Sequence, residues 1–237
     1  MSIKIWSNDI ANVYVWDTAV KEVYVGTTKV RPTSRLPSAY QEVEWIKSNN
    51  RCRINTWYSP SWSYLKTEIK LNFNSLSYDW DWFANTPFVF WYTSSNFCFL
   101  CRNAGNGWFE YGNGNSAQST WFTVVEKTDY TISILASNWT QYININWNTY
   151  SSSCGSSLNT WPIPLWCREQ LNGQYSYYAT DLKIYYFKIY SAENVLVREF
   201  IPCYRKSDSV IWMYDLVNNQ FYTNSWSWTF TKWPDVS

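Results

Sequence analysis

Hydrophobic and polar residues alternate in short bursts along most of this chain, with polar turn residues between the bursts. From Tyr40 onward the alternation predicts strands at Gln41–Lys47, Tyr64–Asn72, Phe88–Tyr92, Asn96–Arg102, Trp108–Tyr111, Thr120–Val125, Tyr130–Ala136, Thr140–Ile145, Ile163–Cys167 and Thr180–Tyr190. Each run with period two has one face to bury. Leu182-Lys-Ile-Tyr-Tyr-Phe-Lys-Ile-Tyr190 is the strongest; its alternation lapses at Tyr185-Tyr186-Phe187, so that stretch is either apolar on both faces or bulged. No window carries a convincing helical stripe. Ser38–Lys47 comes nearest, and its Val43-Glu44-Trp45-Ile46 centre suits a strand equally well. The tail places Val210-Ile-Trp-Met-Tyr-Asp-Leu-Val217 and Gln220-Phe-Tyr-Thr223 on either side of Asn218-Asn219, which reads as a β-hairpin with a short polar loop.

Residues 1–33 form a short β appendage, in which Val13-Tyr-Val-Trp-Asp-Thr-Ala-Val20 is repeated ten residues later as Val23-Tyr-Val-Gly-Thr-Thr-Lys-Val30. Arg31-Pro-Thr-Ser-Arg-Leu-Pro-Ser38 has the two prolines and polar residues of a linker. The expected organisation is therefore an appendage (1–33), a sandwich (36–206) and a C-terminal hairpin extension (207–237). Many short strands with polar turns favour an all-β, antiparallel sandwich or barrel over any alternation of strand and helix. A length of 237 residues suits one such unit.

Composition then narrows the partners. Nineteen Lys and Arg against 18 Asp and Glu give a formal charge of +1, which leaves no basic footprint for nucleic acid or anionic lipid. No run of 18 or more apolar residues predicts a membrane span, and Met1-Ser2-Ile3-Lys4 lacks the order of a signal peptide, so cytoplasmic synthesis is expected. The six cysteines (Cys52, Cys98, Cys101, Cys154, Cys167, Cys203) are scattered in a chain large enough to fold without crosslinks, and most are read as reduced and buried. Cys98 and Cys101 have CxxC spacing, but on a strand residues three apart point to opposite faces. With no His and no second such pair, no metal site and no cofactor are predicted.

Eighteen Trp and 7 Gly invert the usual abundance, in a chain full of tight turns. Asn138-Trp139, Asn146-Trp147, Ser225-Trp226-Ser227-Trp228 and Lys232-Trp233-Pro234 all fall where a hairpin turn wants positive φ, which Gly supplies without steric cost and Trp does not. In the internal repeat Trp16 occupies the slot of Gly26. One reading is that many Trp are glycines in the living source, their UGA codons decoded here with a table that reads UGA as Trp. The positions are Trp16, Trp57, Trp62, Trp80, Trp91, Trp139, Trp147, Trp161, Trp212, Trp226, Trp228 and Trp233; Trp6, Trp45, Trp82, Trp108 and Trp121 sit in contexts that suit a real indole. The other reading is a protein that uses exposed Trp to contact sugars or membranes. Glycine-like positions should be exposed at loop tips; a packed core location would exclude them.

Three stretches resemble a family of phage and prophage minor structural proteins. They are Leu36-Pro-Ser-Ala-Tyr-Gln-Glu-Val-Glu-Trp-Ile46, then Asp181-Leu-Lys-Ile-Tyr-Tyr-Phe-Lys-Ile-Tyr190, and Val197-Arg-Glu-Phe-Ile-Pro-Cys-Tyr-Arg-Lys-Ser-Asp208 running into Tyr214-Asp-Leu-Val217 and Phe221-Tyr-Thr-Asn224. With the leader Val23-Tyr-Val-Gly-Thr-Thr-Lys-Val-Arg-Pro32 they bracket most of the chain; residues 50–175 match only in strand rhythm. The resemblance implies a concanavalin-A-like (laminin-G-type) jelly roll, a place on the virion tail beside other tail proteins, assembly into an oligomer, and recognition of host surface glycans. It brings no catalytic residues. The chain departs from the family at Trp212, Trp226, Trp228 and Trp233, where the family has Gly.

The absence of His removes the commonest general base, so hydrolysis on this fold has to rest on carboxylates. Asp79-Trp80-Asp81 on a strand puts two carboxylates about 7 Å apart on one face, a glycosidase-like spacing, whereas the surrounding Ser75–Trp82 run reads as a solvated polar turn. Glu42 and Glu44 alternate with apolar neighbours, as on a strand with one wet face. Glycan binding needs an aromatic platform and amides to fix hydroxyls; Trp108, Tyr111, Asn113 and Asn115, beside Gly105, Gly107, Gly112 and Gly114, offer both. The competing reading is ordinary core aromatics and a Gly-Asn hairpin loop. Arg198, Arg205 and Lys206 read as a solvated edge. The leading expectation is a non-catalytic virion attachment or structural module; the alternative is a glycoside hydrolase or lyase on the same fold.

Overall fold

The computed structural model describes residues 14–15, 18–19, 23–25, 28–30, 35–48, 52–60, 64–75, 88–92, 97–102, 107–114, 116–137, 139–153, 162–169, 175–178, 181–223 and 230–236. Among these the chain is all-β and forms no helix. The strands run β1 (Tyr14–Val15), β2 (Thr18–Ala19), β3 (Val23–Val25), β4 (Thr28–Val30), β5 (Tyr40–Lys47), β6 (Ile54–Asn55), β7 (Tyr64–Phe73) and β8 (Phe88–Tyr92). They continue through β9 (Phe97–Arg102), β10 (Trp108–Gly114), β11 (Ser116–Thr123), β12 (Asp129–Ser137), β13 (Thr140–Ile145), β14 (Asn148–Ser153) and β15 (Pro164–Leu165). The last are β16 (Cys167–Glu169), β17 (Tyr175–Tyr178), β18 (Leu182–Tyr190), β19 (Leu196–Arg205), β20 (Ile211–Asp215), β21 (Gln220–Tyr222) and β22 (Thr231–Asp235).

The internal repeat folds as two copies of one hairpin. Val15 pairs with Thr18 and Val25 with Thr28, equivalent positions of the two copies. Trp16 itself lies outside the described residues, as do the suspected positions Trp62, Trp80, Trp161, Trp226 and Trp228.

Two sheets make the body, consistent with an antiparallel sandwich. The larger has ten strands in the order β14-β13-β12-β7-β18-β5-β19-β20-β21, with β22 on β5; the smaller has eight, β11-β10-β9-β8-β15-β6 with β16 on β8 and β17 on β16. Alternation dictates which side is buried. Leu65, Thr67, Ile69 and Leu71 of β7, Tyr130, Ile132, Ile134 and Ala136 of β12, and Ile143 and Ile145 of β13 are buried against Phe90, Leu100, Phe109 and Tyr111 from the other sheet. Each buried Ile, Leu or Phe contributes about 1.5–3 kcal/mol relative to exposure, so the inner faces supply the main driving force. The lapse of alternation in β18 is a bulge: the pairing with β7 shifts between Ile184 and Tyr186, and the extra residue turns Tyr185 and Tyr186 both outward of the core.

β18 and β19 form a hairpin only over Phe187–Tyr190 and Leu196–Phe200. Beyond that they separate, and β5 enters the fork, pairing with β18 through Lys47 and Ile46 and with β19 through Tyr40, Gln41 and Glu42. β22 then lies along β5, with Trp233 opposite Trp45. The expected tail hairpin is present as β20 and β21 around a loop at 216–219, and it continues the large sheet through β19. Met213, Tyr222 and Phe230 belong to the main core, so the tail is built into the sandwich.

The structure departs from the predicted strands in several places: β6, β14, β17, β19 and β22 fall outside the predicted runs, and one predicted run is split. Asn148–Ser153 is an edge strand whose sequence is wholly polar except Tyr150, so it carries no hydrophobic pattern to read. The predicted run Ile163–Cys167 breaks at Trp166, where φ is 63°: β15 pairs antiparallel with β8, and β16 after the turn pairs parallel with it. Several tryptophans also change their reading: Trp91 and Trp233, expected among the glycine-like turn positions, lie within β8 and β22 without positive φ. Trp121, expected as a real indole in a regular context, is exposed with φ 58°. Trp212, expected among the glycine-like positions, is a strand residue of β20 whose ring meets Phe221 at 6.1 Å and Phe230 at 6.5 Å, packed against the core although its buried indole N–H lacks an acceptor.

Candidate functional site

The expected glycan platform falls on the β10–β11 hairpin at the edge of the smaller sheet. Its register runs Glu110 to Ser119, Tyr111 to Gln118 and Asn113 to Ser116, then shifts between Glu110 and Trp108, which pairs with Thr123. The surplus residues lie on β11, and Trp121 takes the positive φ at that bulge, the place where Gly is the usual occupant. The hydroxyl of Thr120 holds the bulge by donating to the Phe109 carbonyl at 2.9 Å and accepting from the Phe122 N–H at 3.1 Å.

Alternation along β10 separates the sequence-predicted residues. Phe109 and Tyr111 are buried, while Trp108 and Glu110 are half-buried on the other face. Tyr111 is 1% exposed, and its hydroxyl stands 3.4 Å from Ser152 Oγ on the opposing sheet. Burial pushes that phenol up, with the Ser152 contact a smaller opposing influence. Tyr111 is thus a core residue and is withdrawn from the sugar platform: three residues separate it from Trp108, an odd step that puts the two on opposite faces. Asn113 pairs through its backbone with Cys98 and Ser116 and shares the register parity of Tyr111. Asn115 lies outside the described residues.

What remains outward is Trp108, with Trp121 against it at a ring-centroid distance of 4.4 Å and an interplanar angle of 45°. Trp121 is 72% exposed, and Ser119 is opposite Glu110 on the neighbouring rung. This arrangement supplies two tilted indole rings on the outer side of the hairpin, an aromatic surface of the kind on which the apolar face of a pyranose stacks. Sequence reasoning missed Trp121 as the partner because a bulge, not a two-residue period, sets their approach.

Carboxylates elsewhere are held by cations. Arg35 bridges Glu42 at 2.9 Å and Glu199 at 3.2 Å, and Arg205 grips Asp208 at 2.5 Å. The hydrogen bond from Arg205 draws Asp208 below the usual carboxylate range, that from Lys232 does the same to Asp235, and that from Ser191 to Glu193. Asp129 is partly desolvated, which opposes its ionisation, but bonds from Asn72, Lys70 and Tyr185 together bring it down. Asp79 and Asp81 lie outside the described residues. Among the described residues no group of three or more His, Cys, Asp or Glu converges as a metal site. Cys98 and Cys101 pair with Asn113 and Glu110 respectively, consistent with opposite register.

The outer face of the large sheet carries a second pattern that the sequence reading did not isolate. Lys70 lies 4.4 Å from the Tyr185 ring, Lys66 4.6 Å from Tyr190, Lys188 5.0 Å from Tyr186 and Lys183 4.4 Å from Trp45. Each Lys sets its ammonium over an aromatic ring, and Lys66, Lys70 and Lys188 also reach Asn194, Asp129 and Glu68. The signal was present in the Lys-Ile-Tyr-Tyr-Phe-Lys-Ile-Tyr run, where basic and tyrosyl residues share one face. No protein-family model matches the chain, and no curated protein sequence matches it either.

Proposed function

We propose that this chain is a structural or attachment module of a phage-type virion tail, synthesised in the host cytoplasm, that presents a rigid β surface and binds host-surface glycans without turning them over. Its partners are other tail proteins, further copies of itself, and the glycan. The observation that carries the glycan part is Trp108, an outward indole beside Glu110 on a hairpin whose inner face is locked into the core. Rigid edges of this kind bind by stacking and a few hydrogen bonds, with little ordering to offset. The non-catalytic part rests on the family resemblance, which brings no catalytic residues. Concanavalin-A-like topology and tail location follow from the family resemblance in the segments 36–46, 181–190 and 197–224.

The test is a glycan array with the wild-type chain and Trp108→Ala, read alongside reducing-sugar release. Binding by the wild type that falls at least about tenfold in the variant, with no release, supports the proposal; a stacking contact of this type contributes on the order of 1–3 kcal/mol. Equal binding by both proteins removes Trp108 from the site. Sugar release replaces the attachment reading with the enzyme.

A further inference from the structure

Eleven non-glycine residues among those described have positive φ, and five of them are Trp: Trp57, Trp121, Trp139, Trp147 and Trp166. The other six are Asn, Asp, Lys and Ser, mostly the small polar types that tolerate the left-handed region. A bulky aromatic is a rare occupant there, and nothing in the chemistry of an indole explains a fivefold recurrence.

The local geometry identifies what each position demands. Ile145 pairs with Asn148, so Asn146-Trp147 is a two-residue hairpin loop, and φ values of 45° and 80° make it a type I′ turn. Asn-Gly is the strongest sequence for that turn. The asparagine does its part: Asn146 Oδ1 accepts from the Thr131 N–H at 2.8 Å, and Nδ2 donates to the Asp129 carbonyl at 3.1 Å. Trp147 next to it is 95% exposed. Ser137 pairs with Thr140, and between them Trp139, which follows an asparagine in sequence as Trp147 does, has φ 68° and is 64% exposed. Trp57 follows Asn55, whose Oδ1 accepts the Trp57 N–H at 2.8 Å in an Asx turn, and it has φ 53° at 67% exposure. Trp121 sits at the β11 bulge described above.

We infer that positions 57, 121, 139 and 147 are glycine in the protein as its own translation system makes it, each encoded by a UGA codon that this sequence renders as Trp. Four unrelated turns and bulges then receive the one residue that fits them, and four exposed indoles disappear, that of Trp121 together with its ring contact to Trp108. Trp166 is excluded despite its φ of 63°, because its ring is wholly buried against Phe230 and its Nε1 donates to the Leu182 carbonyl at 3.1 Å. Trp45 is excluded because its φ is not positive and Lys183 packs over its ring. Glycine at 121 also uncovers the ring of Trp108 on the side where the two indoles now meet.

The decisive measurement is the codon at each of the four positions together with the peptide masses of the protein recovered from its natural host. UGA codons and glycine masses support the inference; UGG codons or tryptophan masses overturn it. An independent arm compares the chain as written with single variants Trp57→Gly, Trp121→Gly, Trp139→Gly and Trp147→Gly in denaturant. Each should lower the unfolding equilibrium constant roughly fivefold by relieving left-handed strain, while Trp45→Gly should raise it. If most of the four variants are less stable than the parent, the inference fails.

Discussion

Asp215 offers a quantitative check on how firmly the C-terminal hairpin is held. Its carboxylate is buried on β20 and accepts the Glu199 N–H at 3.1 Å, the Val217 N–H at 3.0 Å and the Asn218 side-chain amide at 2.6 Å. Arg198 Nε stands 3.4 Å away as an ion pair without the alignment of a hydrogen bond. Asp215→Ala removes all four contacts. Val217 and Asn218 are exposed and recover hydration, so their loss costs little. The Glu199 N–H is half-buried and left without its acceptor, about 1–3 kcal/mol, and the Arg198 charge, mostly covered, loses its counterion. Together these predict a destabilisation of about 3 kcal/mol, while Asp215→Asn, which keeps an acceptor of the same shape, should cost about 1 kcal/mol. Urea unfolding followed by fluorescence measures both; at a slope of about 1–3 kcal/mol/M the alanine variant should shift its midpoint by about 1–3 M in a single transition. A shift below about 0.3 M, or a separate early transition for the tail, would refute the reasoning that β20 and β21 share the body's cooperativity.

Two further outcomes are expected. Cys203 is pushed up to about 12 by burial, with the Glu42 charge adding to it, and Cys52 is equally buried; at pH 8 neither should react with a thiol reagent until the chain unfolds, as peptide mapping after timed labelling will show. Asp129 has a folded pKa below its ordinary 3.8, so its contribution is present at neutral pH and is lost as pH falls through the folded value. Asp129→Asn should therefore flatten the acid limb of the stability curve, by less than about 1 kcal/mol because the carboxylate is partly solvated, and an unchanged limb would discount the Asn72, Lys70 and Tyr185 contacts.

The strands were legible wherever one face is buried, because Leu65 to Leu71 or Tyr130 to Ala136 must alternate to reach the core. The bulge in β18 was legible as an ambiguity at Tyr185-Tyr186-Phe187 and resolved only by its partner β7. Asn148–Ser153 was invisible, since its inward face is Tyr150 and Ser152, one apolar residue and a serine, which is too little to show as an alternation. The platform was half legible. Composition picked out Trp108, but placing Tyr111 beside it ignored the parity of a strand, and Trp121 came within reach through a bulge that no local pattern announces. Turn chemistry was readable at Asn138-Trp139 and Asn146-Trp147 because the asparagine kept its customary place. At Trp212 the same logic failed, because that residue lies inside a strand and not at its corner.

The fork that admits β5 also orders events during synthesis. β5 emerges early, yet its flanks are completed by β18 and β19 and finally by β22, the last strand of the described chain. Until those residues leave the ribosome, the backbone edges of β5 lack the partners they have in the folded sheet. Between the synthesis of β5 and that of β22 the nascent chain thus carries an open, sticky ribbon, and its closure depends on contacts distant in sequence that form slowly. A stop anywhere before Thr231 leaves that ribbon permanently unsealed, so shortened products should collect in aggregates while the full chain stays dispersed.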